Sequence, residues 1–236
     1  HNEVVWTLYM KNGDEIQLTM TVEFEEQTTL YFGQQDAPLD TAQELQALLD
    51  RLAQEYDADT AITVELPGVT YDRPITVGCA VTLRGTGTVF AAPVTVSPLA
   101  DTKRAIACVH FQETAFTGGG VGTGITAGAP TYLENCRVTG WEVGTLAVSG
   151  GWVYLYEGYV GGNDVGARYD SAYSSSYTYT IRRIDFMSNG TALELLCMPP
   201  RAYAVLEDCR FRGNDVDVAN PGSYRIEVGD GTEVTL

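Results

Sequence analysis

The chain has 236 residues and a formal net charge of −17, with 44% apolar and 19% charged side chains. That length and balance suit a folded chain with one sizeable core and exclude a disordered one. A surplus of carboxylates repels phosphate backbones, which sets nucleic acid aside as a partner, and no apolar run approaches the roughly 18 residues that cross a bilayer.

The acidity is uneven: residues 1–60 carry 13 acidic and 2 basic side chains, residues 61–236 carry 18 and 12. Val4 to Met10 and Glu15 to Phe24 flank Asn12-Gly13, the favoured pair for a type I′ hairpin. The second arm alternates, with Ile16, Leu18, Met20, Val22 and Phe24 on one face. A further strand from Thr28 to Phe32 is expected to join this hairpin, and the hairpin to rest on the open first coil of the repeating region beyond residue 60. A helix is predicted from Thr41 to Tyr56, with Asp40 as N-cap and Gln43 in the capping-box position. Leu45, Leu48, Leu49, Leu52 and Tyr56 give it one apolar stripe, so it is expected to cover the end of the core.

From residue 61 onward the chain repeats. Leu133-Glu134-Asn135-Cys136-Arg137-Val138-Thr139-Gly140 serves as a ruler, and copies of it start at 111, 133, 155, 181 and 206, in steps of 22, 22, 26 and 25 residues. The first position is always large and apolar (Phe111, Leu133, Leu155, Ile181, Leu206). The fourth is small or apolar (Thr114, Cys136, Gly158, Ile184, Cys209), and the sixth is Phe or Val. Asn163, Asn189 and Asn214 close the last three copies. A second short run begins ten residues after each start, at Val121, Val143, Val165, Thr191 and Val216. No unit can bury its apolar face alone, so the units must stack.

A coil of short strands at this period resembles the right-handed parallel β-helix of the pectate-lyase and pectin-lyase superfamily. The helix, the strand at Ile62-Thr63-Val64-Glu65, then Leu66-Pro67-Gly68 and Tyr71 are similar to that family's N-terminal entry. Val81-Thr82-Leu83-Arg84-Gly85 is similar to its second rung, and the likeness covers residues 40 to 228. It implies an all-β, single-stranded, right-handed parallel β-helix of about seven or eight rungs. Residues 1–60 would form a hairpin and capping helix, and residues 61–236 the β-helix.

In such a stack a site reads as a column of equal ruler positions rather than as a linear motif. The outward fifth position gives Arg137, Tyr159, Asp185 and Arg210, with Arg212 two residues on, spaced about 5 Å apart. This strip can hydrogen-bond a sugar, with Tyr159 or Trp141 as a stacking surface. Asp185, Arg210 and Arg137 are also the candidates for catalysis, while the bland reading pairs Asp185 with Arg210 across rungs and asks no more of them. The third-position column (Glu113, Asn135, Glu157, Arg183, Asp208) reads as solvated salt links.

The chemistry that the resemblance implies is missing its motifs. Polygalacturonase-like hydrolases carry Asn-Thr-Asp, Asp-Asp, Gly-His-Gly and Arg-x-Lys, none of which occurs in this sequence. The lyases hold calcium on clustered carboxylates. Asp215 with Asp217 and Glu207 with Asp208 offer oxygens, short of the roughly six that calcium takes. No cofactor and no metal site is therefore expected. Cys136 and Cys209 lie three units apart, about 14 Å at one strand spacing per unit, beyond the roughly 7 Å reach of a disulfide. They read as inward core residues, His110 as structural, and the Asn189-Gly190-Thr191 sequon as part of the Asn corner. Of 14 tyrosines, seven fall between Tyr154 and Tyr179, suited equally to recognition and to strand faces.

The sequence reading is thus a secreted or cell-surface β-helix, part of a longer chain, that binds a polysaccharide or a surface protein without catalysis and without membrane insertion. A divergent polysaccharide lyase or glycoside hydrolase is the first alternative, and a structural spacer the second.

Overall fold

In a computed structural model, residues 2–12, 14–22, 28–173 and 178–236 are described. The described residues form an all-β parallel solenoid of about seven turns with one helix. Successive windings contribute one strand to a 7-stranded sheet and one long or two short strands to a 13-stranded sheet. The predicted register holds rung by rung. Phe111 pairs with Leu133, Leu133 with Leu155, Leu155 with Ile181, and Ile181 with Leu206. The same column extends to Val64 and Leu83 before these and to Val228 after them. From Val64 to Leu206 it is buried and makes one continuous apolar spine. Full burial of each such side chain stabilises by about 1.5–3 kcal/mol, which no isolated winding could gain.

The second run pairs in the smaller sheet as Val143 with Val165, Val165 with Thr191, and Thr191 with Val216. Val121 departs from it. Thr123 takes the place beside Val143 and Val121 is 73% exposed, because the glycine-rich corner before it absorbs two extra residues.

At the N-terminal end the helix spans Ala42–Glu55 and buries Leu45, Leu48, Leu49 and Leu52. Its cap lies one residue later than the sequence reading placed it. Thr41 is the N-cap, its hydroxyl accepting from the Glu44 N–H while the Glu44 carboxylate accepts from the Thr41 N–H. A hydroxyl with Glu three residues on gives both halves of a capping box, which Asp40 with Gln43 does not improve on. The helix also seals an edge. Ile75–Val77 is the outermost strand of the seven-stranded sheet, and the Gln46 amide donates to the Thr76 carbonyl at 2.9 Å and accepts from the Thr76 N–H at 2.8 Å. One side chain thus replaces the missing neighbour strand.

Strands Asn2–Tyr9 and Glu15–Val22 form the expected antiparallel hairpin, in its own two-stranded sheet. Gly13 of its turn, and Glu23 and Phe24 of the predicted second arm, lie outside the described residues. The third strand, Leu30–Phe32, does not join the hairpin. It pairs in parallel with Ile62–Val64 and so extends the long sheet by one strand. A three-residue strand carries no local sign of its partner, and the first winding offered an unpaired edge.

Candidate functional site

Each long strand of the solenoid turns a corner at the third ruler position. Glu113, Asn135, Glu157, Arg183 and Asp208 all have φ between +50° and +57°. The pairing skips them: Glu134 meets Tyr156 and Cys136 meets Gly158, with Asn135 and Glu157 unpaired between. The column is therefore a stack of left-handed corners, which for residues other than glycine costs about 1–2 kcal/mol each. Salt links occur within it, as between Arg183 and Glu157, but the backbone bend is what the position supplies. The bend leaves two outward strips, one on either side of it.

On the C-terminal side lies the predicted strip. Ala115, Arg137, Tyr159, Asp185 and Arg210 are successive register partners. The Arg137 guanidinium lies 4.0 Å from the centroid of the Tyr159 ring. The tyrosine reaches across Gly161, where a β-carbon would come within 2.5 Å of the phenol oxygen. Asp185 and Arg210 pair at 3.8 Å, partly exposed, an interaction worth at most about 1 kcal/mol. Arg210 and Arg212 line a cavity of about 380 Å³ with Phe211, Gly231, Thr232 and Glu233. Trp141 does not belong to the strip. It is 3% exposed, enclosed against Gly118 and Gly124, and cannot stack on a ligand. Gly118 and Gly124 on the preceding winding leave space for the inward-turned ring, since a β-carbon at either would come within 2.4 and 2.9 Å of the indole.

Arg84, Arg168, Arg182, Arg183 and Arg225 are each tied to a glutamate. Among the described residues Arg137 and Arg212 have no carboxylate partner, and Arg210 reaches its own only at long range. Arg51, Arg73 and Arg201 likewise lack a carboxylate partner among the described residues, so what sets Arg137, Arg210 and Arg212 apart is their place on two adjacent columns of one face.

The strip on the N-terminal side of the bend is the column of His110, Tyr132 and Tyr154, in which the sequence reading took His110 as structural. His110, Tyr132 and Tyr154 are register partners and stack face to face, with ring centroids 4.4 and 4.6 Å apart. Tyr156 lies parallel to Tyr154 at 6.0 Å. Their column was legible, but its aromatic character was not connected with it. The second face of His110 looks toward Thr82 and Thr63 on the preceding rungs. Those residues, with Cys108, Ala105 and Ile106, line a cavity of about 280 Å³. The Cys108 Sγ lies 3.3 Å from His110 Nε2. Burial holds the imidazole below its ordinary value, opposed by the charge of Glu134. Burial, then Asp101, pushes the Cys108 thiol up, and burial, then Tyr154, raises the Tyr132 phenol to about 12.

The remaining sequence candidates resolve as structure. Asn163, Asn189 and Asn214 form an internal amide ladder, Nδ2 of each donating to Oδ1 of the next at 3.0 Å. The Asn189 sequon is thus enclosed. Cys136 and Cys209 direct their thiols to the carbonyls of Phe111 and Ile181, and all five cysteines are free. Of the tyrosine cluster, Tyr169 and Tyr179 are core residues, Tyr177 lies outside the described residues, and Tyr173 is exposed. Among the described residues no three His, Cys, Asp or Glu side chains converge, and Asp217 spends its oxygens on Asn214 and the Thr235 N–H. No protein-family model matches this chain, and neither a curated protein nor a solved structure matches it.

Proposed function

We propose that the chain is a carbohydrate-binding β-helix that holds an acidic saccharide along the strip of Arg137, Tyr159, Asp185, Arg210 and Arg212, without transforming it. The starting point is the resemblance of residues 40–228 to the pectate-lyase superfamily, stripped of that family's catalytic motifs. One observation carries the reading: Arg137, Tyr159, Asp185 and Arg210 stand in one strand register with Arg212 two residues on, where a linear polymer laid along the solenoid axis would meet them in turn. Arginine's planar donor fork suits a carboxylate, and the cavity at Arg210 and Arg212 gives one such group a place. Tyr159 and Asp185 supply the donor and acceptors that hydroxyls need. The net charge of −17 slows the approach of a polyanion, so affinity must come from these short contacts rather than from long-range attraction.

Isothermal titration calorimetry with an oligogalacturonate and a neutral cello-oligosaccharide tests this. The acidic chain binds and the neutral one binds more weakly. Losing a hydrogen bond to a charged group is worth about 1.5–3 kcal/mol, so Arg210→Ala and Arg212→Ala each weaken binding by about tenfold or more. Equal affinity for both oligosaccharides, or variants that bind as the parent does, overturns the proposal. Appearance of new reducing or unsaturated ends, abolished in Asp185→Asn, would replace it with the enzymatic reading.

A further inference from the structure

Independently of the saccharide strip, we propose that the cavity beside His110 binds a small uncharged aromatic molecule, of the phenol or indole class, as the next ring of the aromatic ladder. Thr63, Thr82, His110, Tyr132 and Tyr154 are successive register partners, and the last three carry the stacked rings. Their centroids are 4.4 and 4.6 Å apart, close to the strand spacing of about 4.8 Å. A planar ring laid on the second face of His110 therefore falls level with Thr82. The threonine stops at its γ atoms, which leaves outside it the place that a ring fills on the rungs of Tyr132 and Tyr154. The cavity of about 280 Å³ takes in His110, Thr82 and Thr63 together. Ligand pockets run from roughly 300 to 1,000 Å³, so this one holds a single ring or a fused pair and no larger ligand.

The lining fits such a ring. Ala80, Ala105 and Ile106 offer apolar contact, and Ile106 is 62% exposed, surface that a bound ring would cover. The hydroxyls of Thr29, Thr60, Thr63 and Thr82 border the same space and suit the O–H or N–H of the ligand. No Asp, Glu, Lys or Arg is among the described lining residues, and burial lowers the His110 imidazole, which favours its neutral form. A charged ring would lose hydration there without a counter-charge. The site is also held in advance. Cys108 Sγ, 3.3 Å from Nε2, and the Tyr132 ring, tilted by only 6°, fix the imidazole. The loop bearing Ala105 and Ile106 is tied down where the Thr102 hydroxyl donates to the Asp59 carboxylate and the Ala107 N–H donates to Asp101 Oδ1 at 2.8 Å. Tyr31, one rung beyond Thr63, borders a different cavity.

Methyl-resolved NMR titrations with p-cresol, indole, cyclohexanol and benzoate test this. Both p-cresol and indole should saturate the site and move the methyl signals of Thr82, Ala105 and Ile106 by their ring currents. Cyclohexanol, of similar size but without a π face, binds about two- to tenfold more weakly, and benzoate about tenfold or more weakly. His110→Ala removes the stacking face and weakens p-cresol about two- to tenfold. Thr82→Tyr places a ring of the chain's own in the site and abolishes binding, in a residue type that suits a strand. Because a variant can lose its fold, a second measurement uses the parent chain alone: nuclear Overhauser contacts join the p-cresol ring protons to the Thr82 and Ile106 methyls. Absence of saturation or of those contacts, cyclohexanol bound as tightly as p-cresol, or Thr82→Tyr binding as the parent does overturns the proposal. A capped Gly-Tyr-Gly peptide that binds more tightly than p-cresol overturns it too, in favour of a peptide side chain.

Discussion

Replacing Asn189 with alanine probes the stacking on which both outward strips depend. Asn189 is 2% exposed. Its Nδ2 donates to the Val160 carbonyl and to Asn214 Oδ1, each at 3.0 Å. Its Oδ1 accepts from the Asn163 N–H at 3.2 Å and from Asn163 Nδ2 at 3.0 Å. After truncation two of the four partners keep another bond. Asn214 Oδ1 still accepts from the Asn189 N–H, and Asn163 Nδ2 still donates to Val138. The Val160 carbonyl and the Asn163 N–H are left enclosed without these partners. At about 1–3 kcal/mol for each orphaned group, Asn189→Ala costs about 2–6 kcal/mol. Urea unfolding followed by circular dichroism should show an earlier midpoint at unchanged slope. Asn135→Ala, at an exposed left-handed corner, should cost about 1 kcal/mol, the scale of a backbone preference alone. A loss below about 1 kcal/mol for Asn189→Ala would refute the reasoning, since the amide would then not be bridging three windings.

Three further outcomes rest on named contacts. Gln46→Ala removes both bonds to the Thr76 main chain, so stability falls by about 1–3 kcal/mol and the Thr76 amide exchanges faster with deuterium. Glu157→Val puts a β-branched side chain at φ +50° and lowers stability by about 1 kcal/mol or more in the same urea assay. The third concerns alkali. Burial first, and the charge of Asp50 second, raise the Cys79 thiol from 9.0 to about 11. The folded form holds this proton more tightly than the unfolded one, so its stabilisation is complete below about pH 9 and is lost as pH rises toward 11. A shift of that size is worth about 3 kcal/mol, and Cys79→Ala should flatten the decline of stability across that window.

What was legible in the chain was its periodicity. Large apolar residues at 111, 133, 155, 181 and 206 fixed which side chains became vertical neighbours, and from them came Arg137 beside Tyr159 and Asp185 beside Arg210. What was not legible depended on partners without local signals. Leu30–Phe32 reads as a strand but not as an edge of the first winding. Trp141 sits at a corner, where Gly118 and Gly124 on the preceding winding leave space for its inward-turned ring. Glu and Arg carry no preference for positive φ, so the stack of left-handed corners was hidden by its composition, with Asn135 and Asp208 alone hinting at it. The Cys108–His110 pair stands outside the cysteine ladder of the repeat and so carries no periodic signal.

The central claim is that one register-locked line of side chains takes the saccharide, and amide shift mapping during titration with an oligogalacturonate tests it most directly. The account predicts that the largest shifts fall in 137–139, 159–161, 185–187 and 210–212, while the amides of Cys108 and His110 stay in place. Shifts concentrated elsewhere, or none at saturating ligand, would contradict it.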